Sequence, residues 1–209
     1  MAKILAVTNI LKSLTDVESG LNLRRTEDDR FFTEWQTELP DLSLSEATAI
    51  EIVRNRLRYH RADGDLLEGA VMLLVTSPLL ELAGLYDPPF KLKAEAAVEI
   101  SIDDGEETLR GRIDVLILQN QLWVMVLEAK KTTISTRSAL PQALAYMMSN
   151  TNPSLVTFGV LTNGDDVVFV KLERGETIQY DLSRAFSIYT TSTELRSILQ
   201  ILKRLASVI

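Results

Sequence analysis

Two acidic residues and one lysine interrupt a segment that is otherwise rich in apolar residues. Residues 111–131, GRIDVLILQNQLWVMVLEAKK, carry Asp114 in a first apolar run and Glu128 and Lys130 at the end of a second. Burying an ionised carboxylate without a partner is costly, so two such acids indicate a shared ligand. Carboxylate oxygens select a hard cation such as Mg²⁺. A neighbouring ammonium can stabilise charge on a phosphoryl oxygen or orient an attacking water.

This chemistry requires both acids on one face of a sheet. Residues 109–118 and 122–130 are predicted to be strands, and a three-residue loop over 119–121 places Asp114 opposite Val126. Asp114, Glu128 and Lys130 then share one face. A two-residue loop would place Asp114 on the other face, so the interpretation requires an odd loop or a bulge. Taken singly, Asp114 could be a turn acid or the ion-pair partner of Lys130.

Helices are predicted before and after this hairpin. A first helix runs from about residue 45 to 60, with Ser43 or Ser45 as its cap. A second, buried helix is predicted over 65–85, entered at Asp65, ended at Gly84 and kinked or divided at Pro78. A third covers 135–150, provided that Pro141 lies in its first turn.

The remaining elements are strands and a last helix. Residues 91–102 form a strand before the hairpin, and the apolar runs on both faces of 109–118 and 122–130 indicate a central pair covered by helices. Asn163-Gly164 predicts a turn between two later strands. The final helix carries one apolar stripe, which is expected to pack mainly within the chain and leaves a two-fold homodimer open. The stripe consists of Leu195, Ile198, Leu202, Leu205 and Ile209.

Composition restricts the class of protein. The 209 residues include 22 basic and 29 acidic side chains, a formal net charge of −7, which argues against non-specific binding to nucleic acid or membranes through a generally positive surface. Without cysteine, disulfides and thiolate metal sites are excluded. No apolar segment reaches the length of a membrane span, and no leader pattern is recognised, so a cytoplasmic protein is expected.

The motifs together resemble the PD-(D/E)XK nuclease superfamily, and most closely the N-terminal nuclease domain of type I restriction enzyme R subunits. The resemblance rests on Asp114, Glu128-Ala-Lys130 and the following QALAY at 142–146, and VLTNGDDVVFVKL at 160–172 resembles the T-N-G turn of those domains. It covers roughly residues 65–172. Ile113 stands where the superfamily pattern has proline, at a position where that pattern is loose.

The resemblance implies a fold class and a set of roles. The fold is α/β (α+β), a restriction-endonuclease-like mixed central sheet flanked by helices, with an N-terminal helical segment over 1–64 and the nuclease domain over 65–209. Asp114 and Glu128 would bind Mg²⁺, with Mn²⁺ as an alternative, and Lys130 would stabilise charge during phosphodiester hydrolysis. Gln142 and Tyr146 would position the substrate or support the site.

Further residues are weaker candidates. The family often adds a glutamate from the first core helix, for which Glu68 fits and Glu81 is the alternative. Arg112, Lys131 and Arg137 flank the expected site and are the candidates for binding DNA. Arg54, Arg58 and Arg61 share a helical face that could bind phosphates or could pair with the acids of TEDD at 26–29.

Three functions compete at this stage. The first is a Mg²⁺-dependent DNA endonuclease. Since no G-x-x-x-x-G-K-[ST] occurs in the 209 residues, such an enzyme would lack its own ATPase motor and would act alone or with other restriction-system or motor subunits. The second is a catalytically silent module of the same fold that binds nucleic acid or a partner protein. The third is a hydrolase of another phosphoester.

Overall fold

The computed structural model describes residues 3–6, 11–36, 38–102, 107–119, 122–129, 131–150 and 156–208. Within them, nine strands form one sheet. The strands are β1 (Lys3–Ala6), β2 (Leu23–Arg25), β3 (Phe90–Ile102), β4 (Glu107–Gln119), β5 (Leu122–Ala129), β6 (Val156–Thr162), β7 (Asp166–Arg174), β8 (Ile178–Leu182) and β9 (Phe186–Ser187). The α-helices are α1 (Leu14–Gly20), α2 (Thr33–Gln36), α3 (Leu44–Arg61), α4 (Glu68–Val71), α5 (Ser77–Leu82), α6 (Leu140–Met148) and α7 (Ser192–Val208).

The sheet is mixed, as the sequence predicts. Its order is β1-β4-β5-β6-β7-β8-β2, with β3 also paired to β4 and β9 to β7. The β4 strand is antiparallel to β3 and to β5, whereas β5 runs parallel to β6. The expected α/β fold class, a mixed central sheet flanked by helices, is therefore confirmed.

Helices cover both faces of the sheet. One apolar core lies between the sheet and the helices α3, α4, α5 and α7. The other lies between the opposite face and α1 and α6. Both cores take residues from β4, β6 and β7, which explains why these strands are apolar along nearly their whole length. The prediction of a hairpin covered on both sides is confirmed for β4.

The helical region before the hairpin differs in detail from its prediction. Ser43, one of the two predicted caps, accepts a hydrogen bond from the N–H of Glu46 and so caps α3. The predicted helix over 65–85 begins at Glu68 instead of Asp65, and a π-helix over Met72–Thr76 separates α4 from α5. Pro78 lies in the first turn of α5, where the missing N–H is tolerated. The predicted end at Gly84 is confirmed by its left-handed φ of 76°.

The first 64 residues are more than a helical lead-in. The β1 strand pairs in parallel with β4, and β2 pairs in parallel with β8. Both strands lie within the segment over 1–64, for which the prediction names only helical structure. The domain boundary at 64/65 stays a prediction.

The C-terminal helix packs within the chain. Leu195, Ile198, Leu202 and Leu205 are each at most 2% exposed and belong to the core beneath α3. The fifth member of the stripe, Ile209, lies outside the described residues. In the part of the chain that the structure describes, no helix combines the length and apolar character needed to cross a membrane.

An ion pair between α3 and α7 provides a pH-dependent contact. The Lys203 ammonium donates to the carboxylate of Glu46, and this hydrogen bond lowers the pKa of Glu46 below its usual 4.5. A lowered folded-state pKa stabilises the fold above the unfolded pKa, and this contribution is lost as pH falls through the folded value.

Glu46→Gln should therefore flatten the pH dependence of the free energy of unfolding between about pH 5 and pH 3. Urea titrations across this range measure it, with Glu51→Gln on the same helix as control. An unchanged slope in Glu46→Gln would contradict the assignment.

Candidate active site

The paired part of the hairpin ends directly beside the two candidate metal ligands. Val115 pairs with Leu127 and Leu116 with Val126, so positions 114 and 128 come next along the two strands. The predicted pairing of Asp114 with Val126 is wrong, because Val126 pairs with Leu116 and only residues 120–121 separate the two strands. A register shift between Ile117 and Leu118 supplies the bulge that the sequence interpretation requires. Opposing positions of an antiparallel pair lie on one face where both strands are regular, so the shared face of Asp114 and Glu128 stays a prediction.

The backbone is irregular where Asp114 lies. Ala94 of β3 pairs with Val115 and Ala96 pairs with Ile113, but Glu95 between them has a φ of 51°. Ile113 belongs to the core beneath α6, whereas Val115 belongs to the core on the other face. Residues two apart would share a face in a regular strand. Positive φ at a residue other than glycine is uncommon and concentrates at functional sites, which makes this point on β4 a candidate site.

Asp114 itself is half-buried and engaged in an interaction with other groups of the chain. The side chain of Glu128 and the whole of Lys130 lie outside the described residues. The backbone of β5 nevertheless fixes where this segment leads, because Glu128 pairs with Leu161 and Ala129 with Thr162 of the parallel strand β6. The strand that carries the acid-x-Lys motif therefore ends beside the T-N-G turn.

The T-N-G turn organises the loop that follows Lys130. The predicted hairpin is confirmed, since β6 and β7 are antiparallel and Gly164 adopts a φ of 87°. Asn163 accepts hydrogen bonds from the N–H groups of Asp165 and Asp166 through Oδ1, at 3.1 and 2.8 Å. Its Nδ2 donates to the carbonyl of Ile134 at 2.9 Å. A single side chain thus closes the turn and holds the loop after β5.

Gln142 and Tyr146 lie one helical turn apart on α6, and Pro141 lies in the first turn of that helix, as predicted. Gln142 Nε2 donates to the Tyr146 hydroxyl oxygen at 3.0 Å, and that oxygen also accepts from the backbone N–H of Arg112 at 3.1 Å. Tyr146 is only 1% exposed. These contacts place the pair against β4 two residues before Asp114, where they hold the strand that carries the acid.

Glu68 is the first residue of α4 and is exposed, with an interaction of its own. The chain just before it is tied to the loop after β5, because the N–H of Thr132 donates to the carbonyl of Leu66 at 3.1 Å. Glu81, the alternative, is exposed on α5. The backbone link favours Glu68 as the acid nearer to the end of β5, and its role stays a prediction.

The three residues predicted to bind DNA are all exposed. Lys131 follows the acid-x-Lys motif directly, and Arg137 lies in the 3₁₀ helix over Thr136–Ala139 that leads into α6. Arg112 forms an ion pair with Glu95 at 3.2 Å. An exposed pair of this kind contributes at most about 1 kcal/mol, so a phosphate could replace the carboxylate. A groove of about 610 Å³ extends from Arg112 to Gln142.

The arginines of α3 do not form a free basic face. The first of their two interpretations, a face available to bind phosphates, is therefore wrong. Arg54 donates to the carbonyl of Thr190, and Arg58 to the carbonyl of Tyr189. Arg61 forms two hydrogen bonds with the carboxylate of Asp165, and they raise the pKa of its guanidinium. The other interpretation, pairing with the acids of residues 26–29, is also wrong for Arg61. Its charge neutralises acids that surround the candidate site.

The donor set of the site fits a hard divalent cation. Asp114 and Glu128 are carboxylates by residue type, and carboxylate oxygens suit Mg²⁺ or Mn²⁺. The histidine of the chain, His60, is exposed at the end of α3 and contacts Tyr59. Among the described side chains, no three His, Cys, Asp or Glu residues are grouped to hold a metal. The fit therefore rests on the two hairpin acids.

A mixed sheet with helices on both faces, whose central hairpin carries Asp114 on one strand and Glu128 on the next, is the architecture expected of a restriction-endonuclease-like domain. The family described as the type I restriction enzyme R protein N terminus matches residues 71–178, slightly more than half of the chain. The chain belongs to this family. The match includes the hairpin, the helix with Gln142 and Tyr146, and the T-N-G turn.

Among solved structures, the chain is similar to the fragment structure of a putative HsdR subunit of a type I restriction enzyme from Vibrio vulnificus YJ016. The identity is 19%, the TM-score is 0.41, and the match covers 65% of this chain and 25% of that one. The chain thus spans about a quarter of the length of that protein. Comparison with curated proteins gave no match.

The roles of three residues around the site were not anticipated from the sequence. Gly111 allows Tyr146 to approach β4, because a Cβ atom at this position would lie 2.5 Å from the tyrosine hydroxyl. An isolated glycine inside a strand is a known indication of close approach. Thr132 and Arg61 connect the loops around the site, and no local pattern identifies such long-range contacts.

Proposed function

We propose that this chain is the nuclease module of a restriction-enzyme R-subunit type of protein and hydrolyses phosphodiester bonds of DNA with a divalent cation. The observation that carries the proposal is the register of the hairpin, in which Val115 pairs with Leu127 directly beside Asp114 and Glu128, next to a backbone irregularity at Glu95. Family membership supports the same function. The expected partners are DNA and other restriction-system or motor subunits.

Each candidate residue has a separate task in this proposal. Asp114 and Glu128 hold the cation, Mg²⁺ or Mn²⁺, which when bound neutralises phosphate charge and lowers the pKa of a water. Lys130 stabilises the charge that develops on the phosphoryl oxygen or orients the attacking water. Glu68 supplies a third carboxylate at the same end of β5. Gln142 holds the Tyr146 hydroxyl, and Tyr146 holds the backbone of β4.

Local positive charge compensates for the net charge of −7. Lys131 and Arg137 are exposed on the loop between β5 and α6, and Arg112 lies on the neighbouring strand. A nucleic-acid backbone that follows the groove between Arg112 and Gln142 would reach the site from the β3 side. These three cations are the proposed contacts to phosphate.

The proposal predicts metal-dependent cleavage by the purified chain. With Mg²⁺ or Mn²⁺ the protein should cut duplex or single-stranded DNA, and EDTA should abolish cutting because the site then lacks its cation. Gel analysis of a linear duplex, a supercoiled plasmid and a single strand measures this. A parallel preparation of Lys130→Ala controls for contaminating nucleases and should lose a factor on the order of 10²–10³ in rate.

A second candidate function is a catalytically silent module that binds nucleic acid or a partner protein. It is favoured by the pairing of the β4 arginines, since Arg110 and Arg112 lie 2.7 and 3.2 Å from the carboxylates of Glu99 and Glu95. The same experiment discriminates the two. A wild-type chain that binds no divalent ion by calorimetry and cuts neither form of DNA would favour the silent module.

A further inference from the structure

Two loops meet at the guanidinium of Arg61, the last residue of α3. Its Nε and Nη2 donate to the two oxygens of Asp165 at 3.1 and 2.9 Å, which fixes the loop between β6 and β7. Its Nη1 lies 3.0 Å from Asp65 Oδ1 and donates to the carbonyl of Gly64 at 3.1 Å. Arg61 thus joins the T-N-G turn to the segment that enters α4.

Thr132 connects that segment to the third loop, which follows β5. Its N–H donates to the carbonyl of Leu66 at 3.1 Å, and its hydroxyl accepts from the N–H of Leu66 at 3.0 Å. The hydroxyl also donates to Asp65 Oδ1 at 3.3 Å. Thr132 is 8% exposed, so its own N–H and hydroxyl are largely shielded from water, and these contacts satisfy both.

The position of Thr132 in the sequence relates its contact with Leu66 to the candidate site. Thr132 follows Lys130 by two residues, and its partner Leu66 precedes Glu68 by two residues. The loop is also held from the other side, because Asn163 donates to the carbonyl of Ile134. The end of β5 and the start of α4 therefore have a fixed relation through one residue that carries no charge.

We propose that Thr132 is a positioning residue of the cation site, which holds the segment that enters α4, the helix of Glu68, against the loop that follows β5. This inference rests on the proposed nuclease function, because that function assigns roles to Glu68, Glu128 and Lys130. A hydroxyl that only completes the hydrogen bonds of a buried loop would affect stability alone. A positioning hydroxyl also affects the affinity of the site for its cation, since supporting contacts of ligands typically change metal affinity 10- to 100-fold.

The test compares variants of the full chain by two measurements besides cleavage. Thr132→Val keeps the shape of the side chain but leaves the N–H of Leu66 and the carboxylate of Asp65 without the hydroxyl. It should weaken Mn²⁺ binding, measured by calorimetry, by about tenfold or more. Thr132→Ser restores the hydroxyl and should bind Mn²⁺ within about twofold of wild type. Thermal unfolding in EDTA records the stability of each variant.

Thr157→Val is the matched control. Thr157 is fully buried near the start of β6, and its hydroxyl accepts from Asn150 Nδ2 at 3.4 Å. The cation site is expected beside the other end of that strand, where Thr162 pairs with Ala129. The control variant should lose stability and should keep the wild-type affinity for Mn²⁺.

The outcomes separate this inference from the proposed function. Wild-type affinity and cleavage in Thr132→Val overturn the positioning role, as does an equal loss of Mn²⁺ affinity in Thr157→Val. If Thr132→Val does not fold, Asp65→Ala provides a second test, because Asp65 is exposed and accepts a hydrogen bond from the same hydroxyl. Asp65→Ala should weaken Mn²⁺ binding several-fold. Unchanged Mn²⁺ binding in this variant overturns the positioning role. A wild-type chain that neither binds Mn²⁺ nor cuts DNA overturns the proposed function first, and the positioning role with it.

Discussion

Asp114→Asn should reduce the rate of DNA cleavage by a factor on the order of 10²–10³, the effect of losing one group that stabilises charge in a reaction of this type. The substitution keeps the size of the side chain and replaces one charged ligand oxygen by an amide. Mn²⁺ affinity by calorimetry should fall in parallel, because the proposed site then keeps only one of its two hairpin carboxylates.

Asp181→Asn is the matched control for this prediction. Asp181 lies on β8, is half-buried like Asp114, and forms an ion pair with Arg25 at 2.8 Å. Its replacement removes a charge and an ion pair but should leave cleavage and Mn²⁺ binding at wild-type values. Thermal unfolding in EDTA distinguishes a lost site from a lost fold. Cleavage at the wild-type rate by a folded Asp114→Asn chain would remove Asp114 from the proposed mechanism.

The sequence was most informative where side-chain chemistry conflicts with its surroundings. An acid in the apolar run of β4 and an acid-x-Lys motif in the run of β5 indicated a shared face, and that requirement led to the prediction of an odd loop or a bulge. The structure has the bulge between Ile117 and Leu118. The loop length was wrong because the bulge and the number of loop residues compensate each other, and a parity argument cannot separate them.

Elements that depend on distant partners were not predictable in this way. The β2 strand has three residues, of which only Leu23 is buried, and it exists because it pairs with β8. So short a segment has no alternation to recognise, and its conformation is set by the sheet that it joins. The π-helix over Met72–Thr76 was missed for a similar reason, since an apolar run before a proline does not specify where the extra residue is inserted.

The arginines of α3 show the same limit for the site. Their spacing identifies a common face correctly, but the sequence does not reveal what that face contacts. Arg61 binds Asp165, a residue more than one hundred positions away in the chain, and so connects the turn after β6 with the segment before Glu68. A helical pattern therefore cannot distinguish a phosphate-binding arginine from one that neutralises acids around the site.

The contact between Gly111 and Tyr146 relates the packing of β4 to the candidate site. A Cβ atom at Gly111 would lie 2.5 Å from both Cε1 and the hydroxyl oxygen of Tyr146, a separation that real Cβ atoms do not show. The ring cannot move aside freely, because it is 1% exposed and its hydroxyl oxygen is bonded to Gln142 and to the N–H of Arg112. A larger residue at position 111 must therefore displace either the ring or the strand that carries Asp114.

Gly111→Ala should accordingly destabilise the fold by about 1–3 kcal/mol, the usual cost of overpacking a buried site, and should lower cleavage because β4 shifts near Asp114. Urea titration measures the free energy of unfolding. Gly69→Ala is the control, since nothing lies within 4 Å of its added Cβ atom and alanine is the better residue in a helix, so stability should stay equal or rise. In a double-mutant cycle with Tyr146→Ala, the two losses should sum to more than the loss in the double variant, because the clash requires both side chains. Additive losses would show that Gly111 is constrained by something other than the tyrosine ring.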